Sequence, residues 1–419
     1  MLDRKFIRQN RELITRAVAL KGESVDIDRY FELDALRRAA LQEMEQLQAD
    51  ANRMNKEIAE RKRLGEDASE AIVAMKTTTA RLKELKTQAT ALAEQVEELY
   101  LLIPNVPHES VPAGGEDQNQ IVRTWGEPWQ PEFPVKPHWE IGTELQILQL
   151  ERASRMSGSG FTLLVDDGAR LERALINFML DVHLEQGYRE VNVPYLVSRA
   201  AMTGTGQLPK LAEDMYLCQQ DDLFLIPTAE VSVTNIHREE TIPAANLPLN
   251  YVAFSPCFRR EAGAAGKDTR GLLRVHQFHK VEMVKFTTPE TSWEELEKLT
   301  DDAEEILRRL ELPYRVVVLA SGDLSFAAAK CYDLEVWAAG VGKWLEVSSC
   351  SNFSDFQARR SGIRFKGPDG RGFVHTLNGS GLALPRVLVA ILENYQTATG
   401  RVRVPSALRT YLQGQEFLG

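Results

Sequence analysis

Apolar residues follow a helical spacing along two long segments near the start of the chain. Each segment places an apolar or small residue every three or four positions, which is the narrow stripe of a coiled-coil seam. The stripe consists of Leu36, Ala40, Met44, Leu47, Ala51, Met54 and Ile58 in the first segment and of Ala71, Met75, Thr78, Leu82, Leu85, Ala89, Leu92, Val96 and Leu99 in the second. Gly65, Asp67 and Ser69 between the segments favour a turn and a new helix start. The pattern predicts an antiparallel helical hairpin within an N-terminal domain of residues 1–101.

The periodicity changes after this hairpin. Residues 102–139 are rich in proline, glycine and single aromatic residues, as is typical of a linker. In residues 140–419, strand-like runs such as LFLIPTAEV and PLNYVAFSPCF occur with amphipathic stretches such as TSWEELEKLTDDAEEILRRL. These runs predict an α+β domain in which helices flank an antiparallel sheet of about six strands. Because no P-loop and no G-x-G-x-x-G follows a strand, a Rossmann fold is not expected.

The composition is that of a large globular chain. Of the 419 residues, 43% are apolar and 26% are charged. The N-terminus has no apolar run behind its basic residues, and no stretch approaches the roughly 20 apolar residues of a membrane span. We therefore expect a cytoplasmic protein without a membrane partner. The cysteines show no paired C-x-x-C spacing, so no zinc site or disulfide framework is expected; they are Cys218, Cys257, Cys331 and Cys350.

The net charge of -10 argues against an RNA partner, but the charge is unevenly distributed. Residues 53–86 of the hairpin hold nine basic residues against six acidic ones. A long projecting hairpin with basic residues near its tip could reach a distant part of a large nucleic acid. We therefore predict RNA contacts at Arg53, Lys56, Arg81 and Lys83. The alternative is an ordinary solvated helix face.

A charged hairpin within residues 258–282, FRREAGAAGKDTRGLLRVHQFHKVE, is the most informative part of the second domain. Period-two spacing predicts that Arg259 and Glu261 share a face of the first strand. Phe278, Lys280 and Glu282 share a face of the second strand, beyond a glycine-rich loop. Such a hairpin would present a cation, a carboxylate and an aromatic ring to one ligand. The alternative is a surface hairpin with solvated charges.

Two further segments give this hairpin a context. TLNGSGLALPR (376–386) opens a helix whose first turn holds Arg386, and a helix N-terminus with an arginine suits a phosphate group. Residues 170–194 predict a long helix followed by an edge strand that contains Pro194. The order of long helix, strand with proline, R-x-E hairpin and G-L-x-x-x-R helix resembles the three motifs of class II aminoacyl-tRNA synthetases.

Within that class the chain resembles the bacterial-type seryl-tRNA synthetases over essentially its whole length. The segments that carry this resemblance are MLDRKFIRQN (1–10), PHESVP (107–112), SGSGF (157–161), GTGQLPKLAEDMY (204–216), IPTAEVSVTN (226–235), AAKCYDLEVW (328–337) and EVSSCSNFSDFQARR (346–360). The chain departs from the usual family pattern at His279, Ser232 and Leu384-Pro385, which puts local geometry in question.

The resemblance implies a serine–tRNA ligase. Such an enzyme activates L-serine with ATP to seryl-adenylate and pyrophosphate, and then transfers serine to the 3′ end of tRNA(Ser), with tRNA(Sec) as a further candidate substrate. It also implies a homodimer formed through the helix at 171–184 and the strand that follows it, whose apolar surface is larger than one such domain normally covers. No protein general base is expected for the transfer step. The loop at 262–272, with Lys267 and Arg270, is expected to order around ATP or the acceptor stem.

The resemblance also assigns the site residues. Arg259 and Arg386 are the expected catalytic residues, and Glu346 and Ser349 the expected ligands of the Mg²⁺ that accompanies ATP. The expected ATP-binding residues are Arg259, Arg260, Glu261, Val275, Phe278, Glu346, Val347, Ser348, Ser349 and Arg386. The expected serine-binding residues are Thr228, Ala229, Glu230, Arg259, Glu282 and Ser380.

Less specific alternatives exist for two of these residues and for the function. Phe278 could be a core aromatic residue, and Glu282 could form a structural ion pair with Lys280 or Lys285. A related ligase that charges a carrier protein would lack the basic hairpin. A non-catalytic RNA-binding relative should have lost one of the motif residues, and this chain retains them all. How threonine is excluded is not visible in the sequence.

Overall fold

The computed structural model describes residues 1–262, 270–368 and 370–419. These residues form two compact units: Asp3–Ile103, and Pro104–Gly419 together with Met1–Leu2. The sequence predicted a domain of residues 1–101, a linker of 102–139 and a catalytic domain of 140–419.

The smaller unit is helical. Its helices are α1 (Arg4–Gln9), α2 (Arg11–Leu20), α3 (Ile27–Leu64) and α4 (Ser69–Leu101). The two long helices form the predicted antiparallel hairpin. Helix α3 is capped at its C-terminal end by Gly65, whose φ of 73° is the left-handed conformation that glycine adopts without strain. The carboxylate of Asp67 then accepts a hydrogen bond from the Ser69 N–H at 2.9 Å at the start of α4.

The seam of the hairpin buries small and branched residues at Ala40, Leu85 and Ala89. The predicted stripe is wrong at one position: Leu36 is 47% exposed, whereas Leu33 is buried. Leu33 lies seven residues before Ala40, so the heptad repeat and not the step of four holds at this end of the helix.

The larger unit is α+β, as predicted. Its α-helices are α5 (His138–Glu144), α6 (Leu150–Ser157), α7 (Asp167–Glu185), α8 (Arg199–Thr205), α9 (Glu230–Thr234), α10 (Ser292–Arg309), α11 (Phe356–Ser361) and α12 (Leu384–Asn394). Its strands are β1 (Gln120–Trp125), β2 (Arg189–Glu190), β3 (Leu196–Ser198), β4 (Leu217–Cys218), β5 (Leu223–Leu225), β6 (Thr241–Pro243), β7 (Leu249–Phe258), β8 (Gln277–Thr287), β9 (Tyr314–Val318), β10 (Lys330–Ala338), β11 (Lys343–Asn352), β12 (Arg364–Gly367), β13 (Gly370–Phe373), β14 (His375–Ala383), β15 (Val402–Arg403) and β16 (Phe417–Leu418).

The main sheet has the strand order β1-β9-β10-β11-β14-β8-β7-β2. Neighbouring strands are antiparallel except for the short parallel pair of β2 and β7. The sheet has eight strands where about six were expected, and both edge strands are short. Edge strand β1 lies in the segment that the sequence predicted as a linker, and it pairs with β9 from Gln120 opposite Val318 to Trp125 opposite Tyr314. The β-branched and aromatic residues of QIVRTW suit a strand.

Helices α7, α10 and α12 pack on this sheet and complete the core. Fully buried apolar residues from the helices, such as Leu175, Leu299 and Leu388, meet Val316 and Leu334 of the strands in one continuous cluster. This rigid base fixes the central strands that carry the charged residues. Among the described residues, no helix is both long and apolar enough to cross a membrane.

The hairpin of β7 and β8 differs from its prediction in one respect. Strand β7 ends at Phe258, so Arg259 and Glu261 lie in the following loop and not on a strand face. The Arg259 N–H still donates to the His276 carbonyl at 2.9 Å, but Glu261 has a φ of 51°, which an extended strand cannot accommodate. Lys267, predicted to contact ATP or RNA, lies outside the described residues.

Candidate active site

An open cleft of about 1010 Å³ lies at the centre of the larger unit. Most of the predicted site residues line it, although they come from distant parts of the sequence. They are Thr228, Glu230, Arg259, Glu261, Glu282, Glu346, Ser349, Ser380 and Arg386. A smaller cavity of about 100 Å³ shares several of these residues and adds Val275, Phe278 and Val347. The fold thus brings twelve predicted residues to one place.

Three predicted residues do not line either space. Ala229 is fully buried in an apolar cluster. The Arg260 N–H donates to the Asp214 carbonyl at 2.9 Å. The Ser348 hydroxyl is buried and donates to the Ser380 carbonyl at 2.7 Å, so it supports the wall of the cleft from behind.

Arg259 and Phe278 form the corner between the two cavities. The guanidinium lies over the ring, 5.1 Å from its centroid, and its Nε donates to the Pro227 carbonyl at 3.3 Å. Phe278 is half-buried and borders the smaller cavity, which does not fit the alternative of a core aromatic residue. The remaining guanidinium N–H groups are available to an anion in the cleft.

Arg274 is a cleft residue that the sequence analysis missed. It lines both cavities, and its guanidinium lies 3.1 Å from the Glu261 carboxylate. The sequence did contain a signal for Arg274, because this residue precedes Phe278 and Lys280 by even numbers of residues, the spacing of side chains on one strand face. The ion pair anchors the Glu261 side chain despite the irregular backbone at that residue.

A cation and two carboxylates also meet in the lining of the cleft. Arg386 donates to the Glu346 carbonyl at 2.6 Å and lies 3.3 Å from its carboxylate. The Ser349 hydroxyl donates to Asp333 at 2.6 Å and lies 3.2 Å from the Glu346 carboxylate. Asp333 was not predicted, although strand register places it directly opposite Ser349.

The electrostatic environments of the two carboxylates differ. Burial, and then the charge of Glu346, raise the pKa of Asp333 well above its usual range. Desolvation by the surrounding protein would raise the pKa of Glu346, whose side chain is still 46% exposed, but the Arg386 and Arg259 guanidinium groups lower it below its usual value. Glu346 therefore holds a stable negative charge in the cleft.

Two carboxylates and a hydroxyl are hard oxygen donors of the kind that Mg²⁺ prefers. Over the described ranges, no group of three or more His, Cys, Asp or Glu side chains could enclose a metal ion. The donor set of Asp333, Glu346 and Ser349 suits an ion that takes its other ligands from phosphates and water. The chemistry of these residues therefore fits Mg²⁺ carried by a nucleotide.

The floor of the cleft holds a buried cluster of charges. The Lys280 ammonium lies 2.5 Å from the Glu282 carboxylate, and both side chains are almost fully buried. Burial, followed by repulsion from Glu282, raises the pKa of Glu230 to about 7. Strand register places Ser380 opposite Glu282, and the Thr228 hydroxyl accepts a hydrogen bond from the Glu230 N–H at 3.2 Å.

The contacts of Glu282 also bear on the alternative that it forms a structural ion pair with Lys280 or Lys285. Glu282 does pair with Lys280, while Lys285 pairs with Glu295 at 3.0 Å. Glu282 and Lys280 both line the cleft, so the ion pair is part of the cleft surface. Structural pairing and exposure to a ligand are compatible here.

The departures from the family pattern have local partners. His279 lies 3.1 Å from Glu172, and the Ser232 hydroxyl donates to the Pro194 carbonyl at 2.6 Å. Pro385 occupies the first turn of α12, where a missing N–H is tolerated, and it borders the smaller cavity.

The four predicted RNA-binding residues lie in the helical hairpin and are all exposed. Arg53 pairs with Asp50, and Arg81 pairs with Glu43 at 2.8 Å. Lys56 and Lys83 have no carboxylate partner within the part of the chain that the structure describes. Of the four predicted residues, these two lysines therefore carry the charge that no carboxylate compensates.

Comparison with known proteins agrees with this organisation. Residues 1–107 match the model of the seryl-tRNA synthetase N-terminal domain, and residues 216–395 match the tRNA synthetase class II core domain of the G, H, P, S and T enzymes. A serine–tRNA ligase of Caldicellulosiruptor saccharolyticus is 55% identical, with 98% of this chain and 99% of the relative covered. That of Methylacidiphilum infernorum is 51% identical, with both chains covered completely.

A solved structure is similar over the same length. The seryl-tRNA synthetase of Pyrococcus horikoshii complexed with ATP has a TM-score of 0.94 and 39% identity, and the match covers 100% of this chain and 99% of that chain.

Proposed function

Since this chain belongs to the seryl-tRNA synthetases and is a serine–tRNA ligase, we propose that its cleft joins L-serine to ATP and passes the activated serine to tRNA(Ser). One observation carries the assignment of the site: Arg259, Arg386 and Glu346 line a single cleft large enough for a nucleotide and an amino acid. The reaction brings a carboxylate to the α-phosphorus of ATP, so the site must hold two anions together.

Arg259 and Arg386 supply the positive charge. Arg259 bridges the serine carboxylate and the α-phosphate, and its stacking on Phe278 keeps the guanidinium plane at the corner of the cleft. Charge that builds on the phosphate during attack is thereby neutralised. Arg386 binds the γ-phosphate.

The nucleoside part of ATP binds beside this corner. Phe278 stacks under the adenine ring, and Glu261 accepts a hydrogen bond from the adenine amino group while Arg274 holds its carboxylate. Val275 and Val347 border the smaller cavity and contact the base. Arg260 and Ser348 do not line the cleft. Arg260 supports the ATP site through the backbone next to Arg259, and Ser348 supports it through its hydrogen bond to Ser380.

Mg²⁺ accompanies ATP in this proposal. Glu346 and Ser349 would hold the ion, and Asp333 would add a third oxygen donor once its carboxyl gives up its proton. When bound, the ion neutralises phosphate charge and orients the leaving pyrophosphate. Glu346 suits the role because the two arginines keep its carboxylate ionised.

Serine binds at the floor. Glu282 accepts a hydrogen bond from the serine hydroxyl, supported by Ser380, and Glu230 and Thr228 bind the α-ammonium. Ala229 contributes only through its backbone, because its side chain is buried in the core. A buried acceptor discriminates against alanine by about 10⁴- to 10⁵-fold, since it would be left unpaired.

The helical hairpin binds the tRNA through phosphate contacts of Arg53, Lys56, Arg81 and Lys83. tRNA(Sec) is the second candidate acceptor. The transfer step needs no protein general base, because the adenylate's own phosphate oxygen can accept the ribose proton. A cytoplasmic location and a homodimer complete the proposal. The boundaries proposed are a tRNA-binding domain at 1–101, a connecting segment at 102–139 and a catalytic domain at 140–419.

The helix that was predicted to form the dimer interface gives less support to a homodimer than expected. Most apolar residues of α7 are buried in their own unit, and among its large apolar residues in the described chain Leu184 alone is largely exposed, at 41%. Edge strand β1 offers better support, because Ile121, Val122 and Trp125 are all exposed on it. An edge strand with exposed apolar side chains favours pairing with another chain.

Pyrophosphate exchange into ATP, measured with each amino acid in turn, tests the proposed function. Serine alone should support exchange, and tRNA(Ser) should then accept it. Exchange without charging of any tRNA would favour the ligase that charges a carrier protein. No exchange with any amino acid would favour a non-catalytic RNA-binding protein.

A further inference from the structure

A glutamine behind the cleft holds the carboxylate of Glu230. Gln357 lies on α11 with only 1% of its surface exposed, and it does not line the cleft. Its Nε2 donates to Glu230 Oε1 at 2.6 Å and to the Thr205 carbonyl at 3.1 Å. Its Oε1 accepts from the Thr376 hydroxyl at 2.7 Å. Every hydrogen-bonding atom of the amide therefore has a partner.

These partners determine which way the amide points. The Thr205 carbonyl can only accept, so it must face the amide nitrogen and not the oxygen. The oxygen then faces Thr376, and the second N–H of Gln357 is directed at Glu230. An acceptor atom in the position of the Gln357 amide nitrogen would be repelled by both the Thr205 carbonyl and the Glu230 carboxylate.

The surroundings of Glu230 make this donor important. Glu282 and Lys280 on β8 and Arg259 beyond β7 are the charged groups that face the same part of the cleft, and Asn378 on β14 is a further hydrogen-bond partner. Glu282 repels the Glu230 charge, and the paired Lys280 offsets only part of that repulsion. The hydrogen bond from Gln357 stabilises the ionised form of Glu230.

We propose that Gln357 is a positioning residue for serine binding, which fixes the Glu230 carboxylate in the orientation and ionised state that bind the α-ammonium group. The inference rests on the proposed role of Glu230. Gln357 itself does not touch the substrate. Its effect is expected on serine and not on ATP, which binds on the other side of Arg259.

Replacing Gln357 with methionine tests the proposal, because methionine has a similar length and no donor. Loss of a hydrogen bond to a charged group should raise the KM for serine in pyrophosphate exchange by about 10- to 100-fold. The KM for ATP should stay within about twofold. Gln396→Met is the matched control, since Gln396 is also a buried glutamine with three amide hydrogen bonds, to Lys136 and Glu393, away from the cleft.

A pH profile separates positioning from a merely structural role. In the wild-type protein kcat/KM for serine should fall as pH drops through the ionisation of Glu230. Without the donor, the pKa of Glu230 rises, so this limb should move to higher pH in Gln357→Met. It should not move in Gln396→Met.

An unchanged serine KM and an unmoved limb in a folded Gln357→Met protein would overturn the inference. If that variant does not fold, Thr376→Val frees the amide to rotate, and it should shift the same limb by a smaller amount; an unmoved limb there would equally overturn it. Failure of the proposed function is distinguishable, because the wild-type protein would then show no serine-dependent exchange at all.

Discussion

The ammonium group of Lys280 lies 2.5 Å from the carboxylate of Glu282, two residues further along the same strand. Side chains two apart on a strand share a face, so this pair follows directly from the sequence spacing. Because both residues line the cleft, Glu282 faces a ligand as an acceptor whose ion-pair partner is already in place. A neutral hydroxyl can then bind without adding charge to the buried floor.

Removing this acceptor should remove the preference for serine. In Glu282→Ala the buried partner of the hydroxyl is lost, so the wild-type discrimination of about 10⁴-fold or more against alanine should largely disappear. Pyrophosphate exchange with serine and with alanine measures the ratio. Glu282→Ala combined with Lys280→Met removes the unpaired ammonium as well, and should show the same loss. A ratio equal to that of wild type would mean that the serine pocket lies elsewhere.

Arg259→Ala should abolish activation, because it removes positive charge from the reacting phosphate. A fall of at least 10²-fold in kcat for serine-dependent exchange is expected, as for other donors to a developing charge. Arg401 provides a matched control: its guanidinium also stacks on a phenylalanine, at 4.2 Å from the Phe417 centroid, and its Nε donates to a backbone carbonyl. Arg401→Ala should keep exchange near the wild-type rate. Comparable losses in both variants would indicate a structural role.

The sequence predicted the elements that depend on local spacing. The heptad pattern predicted both long helices. Leu36 was wrongly included in the stripe because it lies four residues before Ala40, whereas the residue that is buried at this end, Leu33, lies a full heptad before Ala40. The α+β class followed from alternation in strands such as β7 and β8. Strand β1 was missed because six residues between proline-rich stretches carry little periodic signal.

The site residues that belong to family motifs were predicted. The site residues that are recognisable only from their contacts in three dimensions were missed. Asp333 enters the cleft through its strand register opposite Ser349. Gln357 acts from behind the cleft, and Arg274 through its ion pair with Glu261. A linear sequence contains no direct record of such contacts. The position of Glu261 in a left-handed conformation is also set by tertiary contacts that period-two spacing cannot reveal.

Glu230 should make stability depend on pH in the absence of serine. Its pKa of about 7 lies above the value of 4.5 for a free glutamate, so the folded chain favours the protonated form. This stabilisation is complete below about pH 4.5 and is lost as pH rises through 7, by about 3 kcal/mol.

Glu230→Gln stays neutral and should keep that stability. Thermal unfolding should therefore show a higher Tm than wild type at pH 8 and a nearly equal Tm at pH 5, with serine activation impaired. A Tm difference that is the same at both pH values would argue against a strained carboxylate at this position.

A homodimer should be visible by light scattering at micromolar concentration as twice the chain mass of 47.2 kDa. Positive charge introduced on edge strand β1 should weaken the dimer. Ile121→Lys combined with Val122→Lys should therefore shift the protein towards the monomer. Leu217→Lys is the control, because Leu217 is similarly exposed on a strand of another sheet. A wild-type protein with only the monomer mass would count decisively against the dimer.

Lys56 and Lys83, the two predicted contact residues without a carboxylate partner in the described chain, should contribute to tRNA binding by the hairpin. Lys56→Glu combined with Lys83→Glu removes two phosphate contacts, so tRNA affinity should fall and its logarithmic salt slope should decrease by about 0.7–0.9 per contact. Arg53 and Arg81 already pair with Asp50 and Glu43, so reversing their charge should disturb those pairs as well as tRNA binding.

Serine-dependent pyrophosphate exchange should be unchanged in the double lysine variant, because the cleft residues belong to the other unit. Lys5→Glu makes the same kind of charge change on α1 of the helical unit, outside the hairpin, and should leave tRNA binding close to wild type. Replacing the whole hairpin with a short glycine-rich turn should likewise preserve exchange while transfer to tRNA collapses. If the hairpin-deleted protein charged tRNA with an unchanged kcat/KM, the basic residues would be no more than a solvated helix face.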